Sequence, residues 1–466
     1  MIFFFRFITI FLFVISFSTV YAVRWPWIIA PLLYPIFYHV PNGGPYQEAI
    51  SITCISPFSL KKTVLLSRAG IKRSLSVAPF QYLFDADVHA KKWHTFVTAM
   101  SEAVHEALHS DQRVQAKVRV LLMCCDKNGA EKWNFSAPAG FVVHAAKDKR
   151  LKNKMATQVR IQIKNGLLFC NGKRVNGSLQ ITPVSGHGML NEVAYDGNFF
   201  IIPDRESFLC VNHVQLEDYI TAVLKTESWP GWPLEVNKVF AIACRSYVVY
   251  QGLQARRIKR PFDVKNSNVH QTYKGRHDIA VLKEAVAQTR GLVLGFQGQP
   301  ILAMFDCCCG GIIPANIADF DFKKVPYLAR SYACNYCKMC SLYSWHVAYE
   351  QTSFETLIKK YNQENRLLDI RVIKKDKAGL VTDVTLQGPK KQTTISGKQL
   401  YSLLKDVKSF HFDIHKKSGF IIFTGHGFGH HLGLCQWGAR QMVRDGWDFK
   451  SILRFYYPGA YFMQLM

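Results

Sequence analysis

The stretch LEDYITAVLKTESWPGWPLEVNKVFAIACRSYVV, residues 216–249, decides how the chain is read. It holds two helical patterns separated by the breaker SWPGWP, because two prolines and a glycine in six residues cannot continue a helix. In the second pattern Pro233 is suited to a first helical position, where its missing N–H is not needed. Val236, Val239, Phe240, Ala243, Tyr247 and Tyr250 then recur at three and four residues, which predicts a helix with one buried stripe. Glu227 falls at the end of the first pattern, two residues before Trp229 and five before Trp232.

Upstream, from VRVLLMCC (118–125) to about residue 215, the texture changes to short β-like runs: GFVVHAA, VRIQIKNG, LQITPVSG, NFFIIPD and SFLCVNHV. Asn-Gly pairs at 165–166, 171–172 and 176–177 mark hairpins, since both residues tolerate the positive φ of a tight turn. Downstream, HDIAVLKEAVAQTRG predicts a helix, LVLGF and PILAMFD predict strands, and short strands and helices alternate to the C-terminus. The fold class is α+β: a β-rich platform with a helical subdomain over 118–466, and a separate α/β segment at 23–117. In that segment AKKWHTFVTAMSEAVHEALHS (90–110) has helical spacing and nothing in it suggests chemistry.

The first 22 residues, MIFFFRFITIFLFVISFSTVYA, carry one early cation, an apolar run and a small-residue end, the pattern of a cleaved export signal. An uncleaved anchor is the alternative, and both place the remainder outside the cytoplasm, in the periplasm or cell envelope. The chain has 58 Lys plus Arg against 33 Asp plus Glu over 466 residues, a formal charge of +25. For an exported protein that charge points to an anionic envelope surface or cell-wall polymer and not to nucleic acid. With 49% hydrophobic and 20% charged residues, the composition excludes a disordered chain.

Thirteen cysteines is a high and odd count. Cys307, Cys308 and Cys309 are consecutive, and Cys334, Cys337 and Cys340 follow a C-x-x-C-x-x-C spacing. Three readings stay open: disulfides, zinc or another thiophilic metal on Cys334, Cys337 and Cys340, and buried or free thiols. The crowded stretch GHGFGHHLGLCQWGARQM (425–442) raises the same question. Its histidines lack the arrangement of two on one helix face that a zinc hydrolase uses. Its glycines instead allow close backbone approach to a ligand, so it reads as a groove-forming loop that enters a helix near Gln436.

Glu227 is the carboxylate with the best physical case for chemistry. Two tryptophans beside it can supply an apolar wall that disfavours the ionised form, and a carboxylic acid protonated near neutrality can act as a general acid. Their rings also suit the apolar faces of sugars. A helix-end glutamate beside two core tryptophans is the competing interpretation.

The segment 216–249 resembles the signature of the SpoIID/LytB family, with an acidic residue and tyrosine, a glutamate, a Trp-Pro pair and a helix ending in Arg and Tyr. GHGFGHHLGLCQWGARQMVRDGWDFKSILRFYYPGA is similar to the family's C-terminal block of glycine-histidine repeats, Ser-Gln-Tyr-Gly-Ala and Tyr-Tyr-Pro-Gly. TRGLVLGFQGQPILAMFDCCCGGIIPA resembles its strand pair followed by serines and two glycines. The resemblance covers about 118–466. It implies a peptidoglycan lytic transglycosylase acting on glycan strands stripped of stem peptides by an amidase, cleaving the MurNAc-GlcNAc bond and leaving 1,6-anhydro ends.

Carried over by position, Glu227 is the catalytic residue, Glu217 and Glu235 are framework positions, and Arg245, Gln271 and Tyr273 are groove residues beside Trp229 and Trp232, with structural roles as the open alternative for these three. Cys308, Cys309 and Gly310 stand at the serine and glycine positions beside the groove, and His430 and Gln436 stand in the C-terminal block. Cys435 replaces a serine and His431 a glycine. The family's zinc-binding segment aligns with DVKNSNVHQTYKG, where Lys265 and Val269 occupy ligand positions, so no metal or other cofactor is expected there, and the alternative place for a metal is the 307–309 and 334–340 cysteines. Because the family also includes amidase enhancers, the alternative function is a non-catalytic glycan-binding protein that recruits or stimulates an N-acetylmuramoyl-L-alanine amidase.

Overall fold

A computed structural model of the chain describes residues 117–145, 147, 151–205, 207–364 and 366–465, together with five strands before residue 67. The chain forms two compact units, 1–111 and 112–466. In the first, Phe11–Ser16 pairs antiparallel with Thr19–Arg24, and Ile36–His39, Ile50–Cys54 and Lys62–Leu66 form a three-stranded antiparallel sheet. The helix expected over 90–110 lies outside the described residues.

The second unit is built on an 11-stranded sheet. Its main strands are β1 (Lys117–Asp126), β2 (Glu131–Ala145), β3 (Lys154–Lys164), β4 (Leu167–Cys170), β5 (Lys173–Val175), β6 (Leu179–Pro183), β7 (His187–Leu190), β8 (Val193–Asp196), β9 (Asn198–Pro203), β10 (Ser207–Gln215) and β11 (Val264–Lys265). The order is β5-β4-β3-β2-β6-β9-β10-β1-β11, with the β7–β8 hairpin attached to β2. All pairs are antiparallel except β1–β11. Alternation sets the buried face: Trp133, Phe135 and Ala137 point in, as do Val159, Ile161 and Ile163 on the neighbouring strand. A register shift between Ser136 and Phe141 keeps the pattern in phase as β2 continues. By contrast, β10 is buried almost continuously from Phe208 to Val214, because Leu209 and Val211 pack into a second small cluster with Phe262 on the opposite face.

The Asn-Gly pairs at 165–166 and 171–172 close two-residue hairpins, with Lys164 opposite Leu167 and Cys170 opposite Lys173. Positive φ at all four residues is what such turns demand. The third pair is corrected: at 176–177 only Gly177 has positive φ and no hairpin forms there. The hairpin between β7 and β8 instead turns on Asn191-Glu192, both at positive φ, without a glycine to announce it.

Among the described residues there are seven α-helices. The first two, α1 (Leu216–Glu227) and α2 (Leu234–Arg257), leave the sheet directly from β10. Pro233 caps α2 from outside instead of opening it. The expected single stripe is also corrected, since every residue from Val239 to Ser246 is buried. That part of α2 is enclosed by the sheet, by α1, by α3 (Ala280–Gln288) and by the C-terminal helices. The strand LVLGF is present as β12 (Leu292–Phe296), paired with β13 (Gln299–Pro300) and with the final strand Tyr461–Gln464. PILAMFD is not one strand; its only later pairing is the short parallel bridge of β14 (Phe305–Asp306) to Leu434–Cys435.

Between Tyr343 and Gly427 the chain builds a lobe with its own core. Two three-stranded sheets and the helices α4 (Gln351–Ile358) and α5 (Gly397–Tyr401) enclose Phe354, Ile370, Val384, Leu386, Ile395, Phe412 and Phe423. The chain then returns to the main unit through α6 (Gln436–Arg444) and α7 (Phe449–Tyr456). No helix among the described residues is long and apolar enough to cross a membrane.

Candidate active site

Helix α1 ends at Glu227, and Ser228 N–H closes its last turn on the Leu224 carbonyl at 3.0 Å. The following SWPGWP forms a tight turn, with Trp232 N–H donating to the Trp229 carbonyl at 2.8 Å. It leaves the Glu227 carboxylate facing a loop that the neighbouring segment holds rigid. In that loop Asn266 Oδ1 accepts Tyr273 N–H at 2.8 Å, and Gln271 Oε1 accepts the Tyr219 hydroxyl at 3.0 Å. Thr272 N–H is thereby aimed at Glu227 Oε1, at 2.6 Å.

Burial pushes the Glu227 pKa above its ordinary value, and the Thr272 amide and hydroxyl pull the other way. Burial dominates, so the proton is held more tightly than on a free carboxyl. The Tyr247 hydroxyl on α2 is raised as well, by burial first and also by the Glu227 charge, which marks it as a neighbour. Gln436, the first residue of α6, donates from Nε2 to the Glu227 backbone carbonyl at 3.0 Å. Residues separated by 209 positions in sequence thus meet at Glu227, Gln436 holding its backbone and not its carboxylate.

Of the two tryptophans that follow Glu227 in the turn, one ring is exposed and one is buried. Trp229 is 55% exposed and stacks at 6.0 Å on Trp232, which is 8% exposed. Trp232 in turn meets Trp437 edge-on, and the Arg440 guanidinium lies over both of these rings at 5.3 and 4.8 Å. An exposed indole beside a half-buried carboxyl is a surface on which a sugar ring can stack. A cavity of about 130 Å³ is lined by Trp437 and Arg440 together with Tyr336, Met339 and Cys340.

Several residues expected in the groove are interior supports instead. Arg245 is fully buried and holds both oxygens of Glu217, Nε to Oε1 at 3.1 Å and Nη2 to Oε2 at 2.7 Å, while Nη1 donates to the Leu292 carbonyl. Gln271 and Tyr273 are buried too; Tyr273 donates its hydroxyl to Asn212 Oδ1 at 3.0 Å. Their polar ends are used by the protein itself, so they shape the loop behind Thr272. Glu235 accepts Phe449 N–H at 3.1 Å and joins α2 to α7. Lys265 and Val269 are exposed, and His270 Nδ1 accepts the Lys265 N–H.

The glycine-histidine loop packs against the cysteine run. Cys308 and Phe428 exchange both backbone hydrogen bonds, at 3.1 and 2.7 Å. Gly427, at φ 76°, approaches so closely that a Cβ there would lie 2.8 Å from the Cys308 carbonyl oxygen. Cys308, Cys309 and Gly310 are all buried and line no open groove. His430 accepts Leu432 N–H on Nδ1, and burial pushes its pKa down to about 4, against a hydrogen bond to the Phe305 carbonyl. His431, at φ 66°, donates its backbone N–H to the buried Asp306 at 2.7 Å, and its Nε2 has no hydrogen-bond partner among the described residues. Both imidazoles are therefore neutral near pH 7.

The twelve cysteines from Cys124 to Cys435 are free thiols. Of the three cysteines whose spacing left a metal open, Cys334 and Cys337 converge with Cys309 and Cys435, whereas Cys340 lies against Cys307 and Cys308. Sequence reading also missed Thr272, Tyr247, Trp437 and Arg440. Thr272 contributes a backbone N–H, which no residue type reveals.

The SpoIID family, described as stage II sporulation protein, matches residues 204–296, and a domain family of unknown function, DUF8618, matches 327–433. An uncharacterized protein of Brachyspira hyodysenteriae is 32% identical over 277 residues, covering 58% of this chain and 73% of that protein. Stage II sporulation protein D of Bacillus subtilis is 24% identical over 54% of this chain and 75% of its own length. An amidase enhancer of the same organism is 24% identical over 62% of this chain and 47% of its own length. With the matched segment spanning the strand, both helices and the loop that build the Glu227 site, the chain belongs to the SpoIID family.

Proposed function

We propose that the protein is a peptidoglycan lytic transglycosylase in which Glu227 serves in turn as general acid and general base. The carrying observation is the half-buried Glu227 carboxyl, its pKa raised by burial, fixed by Thr272 N–H at 2.6 Å beside the exposed Trp229. Protonated Glu227 gives its proton to the glycosidic oxygen as the C1–O bond breaks. The carboxylate then takes the proton of the same sugar's 6-hydroxyl, whose oxygen bonds to C1 and closes a 1,6-anhydro ring. No water is consumed and the glutamate returns to its starting state, so one carboxyl does the work that hydrolysis divides between two.

The substrate in this proposal is the glycan strand freed of stem peptides, met outside the cytoplasm after export on the N-terminal apolar run. The charge of +25 suits an anionic envelope. A second reading, a glycan-binding protein that assists an amidase, is favoured by the relative named as an amidase enhancer. Incubation of the purified chain with amidase-treated strands separates the two. Anhydro-muramic products formed by the wild type and lost in Glu227→Gln support the enzyme. Equal product from both overturns the role of Glu227, and product from neither, with strands still bound, supports the second reading.

A further inference from the structure

We propose that Cys309, Cys334, Cys337 and Cys435 bind one zinc ion in a closed four-thiolate site. Their four sulfur atoms all lie within 4.8 Å of one another and all four residues are buried. Around a tetrahedral zinc with Zn–S bonds of ~2.3 Å, neighbouring sulfurs stand about 3.8 Å apart. Cys309 Sγ and Cys337 Sγ are 3.7 Å apart.

Three segments distant in sequence deliver these sulfurs. The parallel bridge of β14 sets Asp306 opposite Cys435, so the run Cys307–Cys309 starts beside α6. The C-x-x-C turn of Cys334 and Cys337 closes the set from the loop before the lobe. Buried cysteines often act as small apolar side chains, and four converging sulfurs alone would not decide the matter.

Three further features point to an ion. Cys309 N–H donates to Cys435 Sγ at 3.3 Å, and the Tyr456 hydroxyl lies 3.2 Å from Cys334 Sγ, the polar contacts that orient metal-bound thiolates. Arg330 is 1% exposed, has no carboxylate at ion-pair distance among the described residues, and leaves Nε without a partner. Its guanidinium stacks on Tyr456 at 5.7 Å, the same ring that reaches Cys334. A buried cation needs compensating anions: the buried Asp306 acts on Arg330 electrostatically, and four thiolates around a divalent ion add a net charge of −2. Gly438 presses the backbone of α6 onto the cluster, since a Cβ there would lie 2.9 Å from Cys334 Sγ.

With four protein ligands the ion has no open position, so its role is structural. It ties the cysteine run, the 334–337 turn and the start of α6 together one residue from Gln436. Loading releases the thiol protons to solvent and leaves every sulfur at its own oxidation level. The assignment stands on geometry and is independent of the proposed transglycosylase reaction.

The test is elemental analysis of the full chain, purified under reductant and without chelator. About one zinc per chain is expected, released by an organomercurial in step with modification of about four thiols. Cobalt exchanged into the site should give intense thiolate-to-metal absorption bands of a tetrahedral complex. Cys334→Ser and Cys435→Ser should lose the metal and Cys340→Ser should keep it. Zinc-free wild-type protein with these cysteines oxidised to disulfides overturns the proposal, as does iron with acid-labile sulfide or a Cys340→Ser variant that loses metal equally. The wild-type measurements decide the matter even where a serine variant fails to fold.

Discussion

At the scale of single residues, activity and stability oppose each other at Glu227. Its folded-state pKa is raised by burial, so the favourable contribution of the protonated form is complete below the unfolded value, about 4.3, and is lost as pH rises through the folded value. At pH 7 Glu227→Gln should therefore abolish product formation while leaving Tm equal to or above that of the wild type. Any gain in Tm should shrink as pH falls below about 4. Thermal melts at pH 7 and pH 4 check this, and a lower Tm at pH 7 would show that the carboxylate supports the fold. Glu217 is the converse case. Its two oxygens compensate a guanidinium that has no access to water, so Glu217→Ala strands a buried charge and should cost ~3–5 kcal/mol in denaturant unfolding. Glu217→Gln should cost less, because one acceptor oxygen remains.

At the scale of elements, α6 carries the site through close packing. Its Gly438 faces Tyr456, where an added Cβ would stand 2.1 Å from the hydroxyl oxygen. Alanine is the better helix former by ~1 kcal/mol, yet this overlap and the one with Cys334 should make Gly438→Ala net destabilising, by about 1–3 kcal/mol. Combining it with Tyr456→Phe should recover part of the loss in a double-mutant cycle, and strict additivity would show that the two residues do not meet. Local pattern made some elements legible from sequence: α1, the start of α6 and the two Asn-Gly hairpins follow from periodicity and turn chemistry. The burial of α2 on all sides did not, because its enclosing partners come from segments scattered along the chain. Within the candidate site Glu227 and the tryptophans stand out in the sequence because residue type suggests their chemistry. Arg245, Gln271 and Tyr273 were misplaced because a polar side chain satisfied inside the protein and one facing a ligand look alike until partners are known. The 307–309 and 334–340 cysteines were a metal alternative in the sequence, but Cys435 joins them through the β14 bridge, which spans 129 residues between Asp306 and Cys435 and leaves no trace in spacing.

At the scale of the whole second unit, the lobe between Tyr343 and Gly427 is an insertion whose ends meet. Ser344 pairs with His426 across the first strands, their side chains touch at 3.1 Å, and Gly427 N–H donates to the Tyr343 carbonyl at 3.0 Å. Its core of Phe354, Val384, Leu386 and Phe423 is distinct from the large cluster that contains α1, α2 and the cysteines. The contacts that join the lobe to the main unit include Trp345 Nε1 to the Gly427 carbonyl, Gly429 N–H to the Lys408 carbonyl, Ala318 N–H to Asp376 and the Lys398–Asp319 ion pair, none of which involves Glu227. A chain with residues 346–424 replaced by a short Gly-Ser linker should therefore retain a cooperative unfolding transition and about one zinc per chain. It should also keep the Glu227-dependent cleavage. Circular dichroism and elemental analysis of the excised chain test the first two. Loss of both would show that the lobe completes the fold of the site, and loss of cleavage with the fold and metal intact would assign the lobe to holding the glycan strand.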